Sequence, residues 1–503
     1  MKLNFTLDQV AKLAKTNRVI PLIQTLFSGT ETPVGLFEKL CGERVGTFLL
    51  ESADQGVWSR YSFIGVNIRG SLTKDSTGRA VWSGQEPALP SRDAELPEGA
   101  LDSLDTLLKA WSAPKIDGLP PLTSGLVGML GWEVIREIEK LPSAPEAEYR
   151  VPAMWFSMFS DLVIVDHETS ELKFVANIFV TDVSESIASS YDEAVRRLQL
   201  LVEQANQPTR PFLVRQNQTS NLDLQANQTE QRFKQSIASA KEYIKRGDVF
   251  QVVVSQRFDQ KLEASPLDVY RALRALNPSP YMYLLHQEDE GGVYSIVGSS
   301  PEALVTVSDG AATMHPIAGS RPRGSTIESD QAHEHSLLDD AKERAEHLML
   351  VDLARNDLLK VCKPDSISVT EFMAVHRFSH IMHLVSTVEG RVRDGQSSVD
   401  VFKATFPAGT LSGAPKPRAL EIIDELEPSN RGLFGGVVGY FDFAGSADLA
   451  IAIRTALLRD GVAHIQAGAG LVLDSDPESE YQETRTKASA PARAVAIANG
   501  FEH

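Results

Sequence analysis

The chain has 503 residues, with 42% hydrophobic and 23% charged side chains, the composition of a globular protein larger than one hydrophobic core usually serves. Its 49 basic and 67 acidic side chains give a formal net charge of −18, which disfavours binding to nucleic acid or to an anionic membrane. Two cysteines, Cys41 and Cys362, are too few for a disulfide framework or a cysteine zinc site. Because the sequence has neither a secretory signal nor a run of roughly 20 apolar residues, we expect a cytoplasmic protein without a membrane span.

The sequence patterns of the N-terminal part of the chain predict a mixture of helices and strands. Thr6 is placed to cap a first amphipathic helix, and two apolar runs around 167–170 predict a pair of strands joined by a turn. The stretch 203–230 is rich in Gln and Asn and has weak periodicity, which predicts a surface linker. It divides the chain into an N-terminal region, 1–202, and a C-terminal region, 231–503.

The sequence patterns of the C-terminal region predict strands that occur in groups rather than in strict alternation with helices. A strand pattern at 250–258 is followed by a helix at 266–276, more strands, a long helix at about 338–355 and a last helix from Pro477. This order favours an α+β fold over a doubly wound parallel sheet.

Two pairs of glutamates form candidate metal ligands. Glu343 and Glu346 lie three residues apart on a predicted helix, hence on one face, and Glu480 and Glu483 repeat that spacing after Pro477. Two such helices could hold one Mg²⁺, which takes one or two carboxylates and keeps water in its other positions. The spacing alone is weak evidence, because solvated helix faces show it more often.

Two further features suggest an anionic ligand. The small residues Gly468, Ala469 and Gly470 lie between strand patterns, where backbone N–H groups can approach a carboxylate, although a tight turn would look the same. Arg454 lies in the apolar strand pattern AIAIRTALL, where an unpaired charge is costly to bury, so it needs an anionic partner or a structural ion pair.

Six sequence blocks in order give the chain a specific resemblance. They are GSSPE (298–302), PIAGSRPRG (316–324), EHLMLVDLARNDL (346–358), TFPAGTLSGAPKPRA (405–419), IQAGAGLV (465–472) and DSDPESEYQETRTKA (474–488). The chain resembles the chorismate-utilising enzymes, which comprise the anthranilate, aminodeoxychorismate, isochorismate and salicylate synthases. The resemblance implies a two-lobed fold with large antiparallel sheets and outer helices. It also implies a Mg²⁺ cofactor held directly by Glu346 and Glu483, with Glu343 and Glu480 acting through water.

The resemblance also implies which residues bind chorismate. They are the Gly319-Ser320 turn, Arg454, the backbone of Gly468–Gly470, and the aromatic residue at position 434. Two positions depart from the pattern of the family. Phe434 stands where anthranilate synthases typically carry Tyr, which leaves its contact with substrate open, and Ser320 stands where Thr is usual but keeps the hydroxyl.

Four positions bear on the chemistry. Gln251 stands where water-adding members carry a lysine base, and an amide cannot take up a proton, which favours ammonia as the nucleophile. Ala318 stands where aminodeoxychorismate synthases often carry a nucleophilic lysine. The resemblance implies that His383 assists the elimination step. Lys487 lies on the helix face of Glu480, where it could meet a substrate carboxylate or pair with a glutamate.

Together these positions favour the anthranilate-forming branch, the large subunits called component I. The segments containing Ser52 and Pro280-Tyr281-Met282 resemble the two halves of a tryptophan feedback pocket. The expected reaction converts chorismate and ammonia to anthranilate and pyruvate, the first step of tryptophan biosynthesis, with tryptophan as inhibitor. Ammonia is expected from a partner glutamine amidotransferase, because neither cysteine lies in a glutaminase-like turn. An aminodeoxychorismate synthase and a silent tryptophan-binding regulatory subunit remain alternatives.

Overall fold

The computed structural model describes residues 2–52, 60–85, 95–142, 144–181, 186–208, 213–216, 222–377 and 381–502. Its α-helices are α1 Leu7–Leu13, α2 Pro33–Leu40, α3 Ala100–Ala110, α4 Ile187–Ala205, α5 Glu230–Arg246, α6 Pro266–Leu276, α7 Ile327–Asp339, α8 Ala341–Leu359, α9 Ser398–Thr405, α10 Lys416–Leu426 and α11 Pro477–Asn499. Short 3₁₀ turns lie at Trp132–Glu137, Pro364–Ser366 and Gly409–Leu411. Among the described helices, none combines the length and the apolar character needed to cross a bilayer.

The strands are numbered in chain order. They are β1 Val19–Phe27, β2 Phe48–Glu51, β3 Tyr61–Lys74, β4 Ala80–Gly84, β5 Gly125–Leu130, β6 Met154–Asp166, β7 Glu171–Phe179, β8 Arg215–Gln216, β9 Gln225–Ala226, β10 Gln251–Lys261, β11 Tyr281–Asp289, β12 Gly292–Ser300, β13 Ala303–Ser308, β14 Ala311–Met314, β15 Ile317–Pro322, β16 Ser368–Arg377, β17 Ile381–Arg391, β18 Gly413–Ala414, β19 Val437–Asp442, β20 Ala447–Ile451, β21 Thr455–Arg459, β22 Val462–Leu471 and β23 Phe501–Glu502.

Two large antiparallel sheets share the long strands β3 and β6. The first runs β10-β22-β21-β12-β11-β2-β3-β6-β7-β1, with β9 and β18 beside β10. The second runs β4-β3-β6-β5-β19-β20-β13-β14-β17, with β15 and β16 beside β17. The β3–β6 register is irregular between Gly65 and Gly70, where the two strands pass from one sheet to the other. The predicted α+β fold with large antiparallel sheets is confirmed.

The sheets lie face to face with helices on both outer faces. A core between them contains Phe48, Tyr283 and Ile296 from the first sheet and Met129 and Val438 from the second. Helices α2, α4, α6 and α11 bury their apolar faces on the first sheet, and α3, α8, α9 and α10 contribute to the core outside the second. Successive side chains of a strand point to opposite faces of its sheet. Each strand therefore contributes side chains both to the core between the sheets and to the core beneath the outer helices.

Both sequence regions contribute to each sheet. In the first sheet, β2 pairs with β11, with Glu51 opposite Met282. In the second sheet, β5 pairs with β19. The sequence-based linker at 203–230 lies partly outside the described residues; within it, β9 pairs with β10.

Several elements lie where the sequence predicts them. Thr6 caps α1 in a reciprocal arrangement with Gln9, and α6 occupies 266–276, as predicted, behind its cap Ser265. The long helix α8 begins only at Ala341, because the Asp340 carboxylate accepts the first free N–H groups, and a separate helix, α7, precedes it.

Two sequence-based placements are wrong. The pattern AIAIRTALL is not one strand: β20 ends at Ile451 and β21 begins at Thr455, with Arg454 at φ +50° in the break between them. Gly468–Gly470 do not separate two strands but lie inside β22, paired with β10. Both errors arise because a continuous apolar pattern does not reveal where tertiary contacts bend a strand.

Candidate active site

The two pairs of glutamates come together from different ends of the C-terminal region. Glu343 and Glu346 lie in the first turns of α8, and Glu480 and Glu483 lie in those of α11. Burial raises the pKa of Glu346, and the charges of Glu343 and Glu483 raise it further. Burial, with the charge of Glu483, also raises the pKa of Glu480. The four carboxylates thus influence one another's pKa across the two helices, and together they are called the acidic cluster.

Three cations border the acidic cluster. Lys487 Nζ lies 2.6 Å from Glu483 Oε1 and donates a hydrogen bond of 3.1 Å to the carbonyl of Gly468. Arg321 Nη1 lies 3.6 Å from Glu343 Oε1, and Lys342 lowers the pKa of Glu346 by its charge. These charges offset the mutual repulsion of the carboxylates, as a bound cation would.

The acidic cluster fits a divalent cation that is held in part through water. No three His, Cys, Asp or Glu side chains of the described chain lie close enough together to bind a metal by themselves. Mg²⁺ does not require that, because it is commonly held by one or two carboxylates and keeps several waters. The donor set, all carboxylate oxygen, is the type that this hard cation prefers.

A bulge in β15 joins the predicted substrate turn to the predicted catalytic histidine. Gly319 is the extra residue of the β15–β17 pairing, at φ +66°, and Ser320 lies opposite His383. His383 Nδ1 donates a hydrogen bond of 2.9 Å to the Gly319 carbonyl. A Cβ atom at position 319 would lie 3.1 Å from Glu343 Oε2, so glycine lets this turn approach the acidic cluster.

The environment of His383 favours the neutral imidazole. Burial lowers its pKa, the hydrogen bond to Gly319 opposes that change, and the positive charge of Arg454 lowers the pKa further. Since Nδ1 carries the proton donated to Gly319, Nε2 of the neutral ring carries the lone pair. The bond also fixes the orientation of the ring.

The small residues of β22 lie against the start of β10. Gly468 pairs with Ser255 and Gly470 with Val253. A Cβ atom at position 470 would lie 2.8 Å from Gln251 Nε2, and one at 468 would lie 3.1 Å from Val253 Cγ1. Glycine therefore allows the Gln251 amide to lie directly beside the backbone that the sequence assigned to substrate.

Arg454 is a half-buried cation at the break between β20 and β21. An arginine at φ +50° is uncommon, and such strained residues cluster at functional sites. Burial lowers the pKa of its guanidinium, and the charge of Glu302 partly restores it. Within the described residues Arg454 forms no ion pair closer than 4.0 Å, so it can receive an anionic group of a ligand.

Glu302 is a candidate site residue that was not singled out from the sequence. Burial raises its pKa to about 7, while Thr410, Lys487 and Arg454 oppose the change. Thr410 Oγ1 donates a hydrogen bond of 3.1 Å to Glu302 Oε1. The block GSSPE could have indicated this residue, because it places an acidic side chain between two apolar strand patterns. A carboxylate shielded from water in this way is a candidate for a functional site.

Phe434 lies in the hydrophobic core beside a buried ion pair. Its ring centroid is 5.5 Å from the guanidinium carbon of Arg431, which pairs with Glu427. The described contacts join Phe434 to this pair and to a cavity of about 20 Å³, rather than to the acidic cluster.

A second cavity, the intersheet cavity, lies between the two sheets and has a volume of about 360 Å³. Ser52, Pro280, Tyr281 and Met282 all line it, because the β2–β11 pairing brings their two segments side by side. Ser52 Oγ is buried and has no hydrogen-bond partner within the described residues. The volume lies in the range of small-molecule sites, about 300–1,000 Å³.

Comparison with known proteins shows the family. The pattern of the chorismate binding enzymes matches residues 47–493. Anthranilate synthase component 1 of Arthrobacter globiformis is 50% identical over 503 residues, covering 99% of this chain and 94% of that protein. The protein of the same name from Mycolicibacterium smegmatis is 46% identical over 492 residues, covering 97% and 92%. The chain therefore belongs to the chorismate binding enzyme family, and the resemblance found in its sequence is confirmed.

A solved structure supports the same conclusion for the fold. The crystal structure of anthranilate synthase component I from Streptococcus pneumoniae TIGR4 is similar, with a TM-score of 0.74 and 34% identity, covering 87% of this chain and 93% of that chain. The antiparallel sheets and outer helices are thus the anthranilate synthase-type fold that the motifs implied.

Proposed function

We propose that the chain is the large subunit of an anthranilate synthase, converting chorismate and ammonia to anthranilate, pyruvate and water. The observation that carries the proposal is the contact between Gln251 and Gly470. It puts an amide, which cannot take a proton from water, beside the backbone assigned to the substrate. Ammonia needs no such base, so this site favours amination over hydration. The names of the full-length relatives support the same choice.

The first step adds ammonia to C2 of the ring. The two ring double bonds shift, the C–O bond at C4 breaks, and the departing oxygen takes the proton of Glu302 and leaves as water. A carboxyl group with a pKa of about 7 is substantially protonated at neutral pH and is suited to this transfer. The product of the step is 2-amino-2-deoxyisochorismate.

The second step removes pyruvate from this intermediate. The neutral His383 takes the proton at C2, the C–O bond at C3 breaks, and the ring becomes aromatic. The departing enolpyruvate takes a proton back from the imidazolium and tautomerises to pyruvate. A pKa held low by burial keeps His383 in the neutral form that can accept the proton. Arg454 and Lys487 supply positive charge for the substrate carboxylates, aided by the N–H groups of Gly468–Gly470.

The acidic cluster is assigned to Mg²⁺, with Glu346 and Glu483 as direct ligands and Glu343 and Glu480 acting through water. When bound, the ion supplies Lewis acidity and a template for the ring carboxylate. Lys487 contacts both Glu483 and the Gly468 carbonyl, and so links the metal ligands to the substrate backbone.

Ammonia is proposed to come from glutamine through a partner glutamine amidotransferase. A glutaminase nucleophile must be an accessible thiolate, whereas Cys41 and Cys362 are both buried and burial raises the pKa of each thiol. Two unpaired cysteines also support the expected cytoplasmic location.

The intersheet cavity is proposed to bind tryptophan as a feedback inhibitor. Its apolar lining suits the indole, and the unpartnered Ser52 hydroxyl can bond the polar end of an amino acid. Asp448, whose pKa is raised to about 7 because its carboxyl group is shielded from water, is a further polar group of the lining.

The test is a product analysis. Chorismate, an ammonium salt and Mg²⁺ should yield anthranilate, followed by its fluorescence, and equimolar pyruvate. Accumulation of 4-amino-4-deoxychorismate would instead identify an aminodeoxychorismate synthase that works without a lysine at Ala318. Tryptophan binding without turnover would identify a silent regulatory subunit, although the intact acidic cluster and Arg454 favour an active enzyme.

A further inference from the structure

Residues 299–303, here called the shared segment, border both the intersheet cavity and the active site. Pro301 and Ala303 line the intersheet cavity. Glu302, between them, instead lines a small cavity of about 40 Å³ that Thr410 also borders. One residue of backbone therefore separates the wall of the proposed regulatory site from the proposed catalytic acid.

The backbone of Glu302 is fixed to β20. Its carbonyl accepts hydrogen bonds from the N–H of Ile451, at 3.0 Å, and from Ser300 Oγ, at 3.3 Å. Ala303 pairs with Ala450, which also lines the intersheet cavity. Two adjacent strands thus form a wall one layer thick, with apolar residues on the cavity side and Glu302 on the other.

A second connection runs from the same segment to the substrate cation. Ser299 Oγ accepts a hydrogen bond of 3.0 Å from Asn277 Nδ2 and lies 2.9 Å from Ser279 Oγ, just before the cavity-lining Pro280. The N–H of Ser299 donates a hydrogen bond of 3.2 Å to the carbonyl of Arg454. Ser299 therefore links the far side of the cavity wall to Arg454, the residue proposed to bind a substrate carboxylate.

We propose that the shared segment transmits occupancy of the intersheet cavity to Glu302 and Arg454. An amino acid that fills the cavity presses on Pro301 and Ala303 and on the segment bonded to Ser299. Because close-packed interiors shift rather than compress, the acid and the cation both move away from the substrate. The inference rests on the proposed tryptophan regulation and adds the residues through which it acts.

The test separates tryptophan binding from tryptophan inhibition in the full-length chain. Ser299→Ala removes the hydroxyl link, and Pro301→Ala shortens one cavity-lining side chain of the shared segment to a methyl group. For each variant, calorimetry gives the Kd of tryptophan, and assays with ammonium give kcat/KM with and without saturating tryptophan. In the parent, saturation is expected to lower kcat/KM by on the order of 10- to 100-fold. Each variant should keep its Kd for tryptophan within about 3-fold of the parent value. The factor by which saturating tryptophan lowers kcat/KM should be smaller than in the parent by about 5-fold or more.

A pH profile adds a readout that a loss of stability would not produce. In the parent, a subsaturating dose of tryptophan should shift the alkaline limb of kcat/KM, because the environment of Glu302 changes, and in the variants it should not. Ser308→Ala is the matched control, since Ser308 lines the same cavity outside the shared segment. Its binding and inhibition constants should change together.

Variants that bind tryptophan and keep the full inhibition of the parent would overturn the inference while leaving the proposed function intact. Should Ser299→Ala fail to fold, Pro301→Ala alone decides. A parent chain that makes anthranilate but does not bind tryptophan would remove the proposed regulation and this inference together.

Discussion

At the scale of single residues, the candidate site is characterised by titratable side chains that are largely shielded from water. The pKa of the Glu302 carboxyl group is raised, and the pKa values of the Arg454 guanidinium and the His383 imidazole are lowered. Each shift has burial as its largest cause. Perturbed pKa values of this kind cluster at functional sites.

Glu302→Gln should abolish the acid role and the associated pH dependence. We expect kcat to fall about 10²- to 10⁴-fold, as for loss of a general acid. In the parent, activity per unprotonated ammonia should decline as pH rises through about 7, where Glu302 loses its proton. Steady-state assays of anthranilate fluorescence across pH measure both the loss of kcat and the pH profile. The control is Glu425→Gln, at an exposed glutamate. A variant with the parent profile contradicts the assignment.

The same substitution should raise stability in alkaline solution. An acid whose pKa is higher in the folded state than in the unfolded state stabilises the fold while protonated, and that contribution is lost as pH rises through the folded value, about 7. Glutamine stays neutral, so the variant should melt at a higher temperature than the parent at about pH 8 and at a similar one below about pH 4. Scanning calorimetry measures the difference.

Glu346→Gln and Glu483→Gln should each abolish Mg²⁺-dependent turnover, because each removes a proposed direct ligand. Titration of activity and of binding heat with Mg²⁺ measures the effect. Glu478→Gln is the matched control, since Glu478 lies on the same helix but pairs with Lys234 away from the cluster. Full activity in either ligand variant would refute the metal assignment.

At the scale of elements, the bulge of β15 is the feature on which the geometry of the site depends. Gly319→Ala adds a methyl group 3.1 Å from a Glu343 oxygen at φ +66°. Backbone strain alone should cost about 1–2 kcal/mol of stability. Gly310→Ala, at φ +72° with open space around it, supplies the same strain as a control. Only the variant at 319 should lose kcat, measured beside its melting temperature.

The sequence predicted elements whose signals are local. Thr6 with Gln9 and Ser265 with Asp268 are capping pairs within four residues, so the helices after them could be placed. The break at Arg454 could not, because the apolar pattern continues through it. Nor could the approach of Glu302 to Arg454, whose charges affect each other's pKa, because it depends on β12 and β21 lying side by side.

At the scale of the whole molecule, the intersheet cavity is a further feature that local sequence patterns could predict only in part. Its two halves could each be recognised in the sequence, at Ser52 and at Pro280–Met282, but their contact requires the β2–β11 pairing. The cavity also extends to the second sheet, where Asp448 and Tyr440 line it. Those residues had no sequence signal, because no local pattern indicates which sheets will face each other.

Ser52→Ala should weaken tryptophan inhibition about 3- to 10-fold, the effect of one hydrogen bond. Inhibition curves at fixed chorismate measure it. Ser62→Ala is the control, since the Ser62 hydroxyl bonds His167 and lies between the cavity-lining Tyr61 and Phe63, on the opposite face of β3. An unchanged curve for Ser52→Ala would remove this hydroxyl from the pocket.

The two strands shared by both sheets have a consequence for how the chain folds. Since β3 and β6 belong to the N-terminal region and each of their sheets also contains at least five strands of the C-terminal region, neither region alone can close a core. Each would expose unpaired strand edges that invite aggregation. Heat should therefore melt the protein in one cooperative transition, and regions 1–202 and 231–503, made separately, should become soluble only when they are produced together.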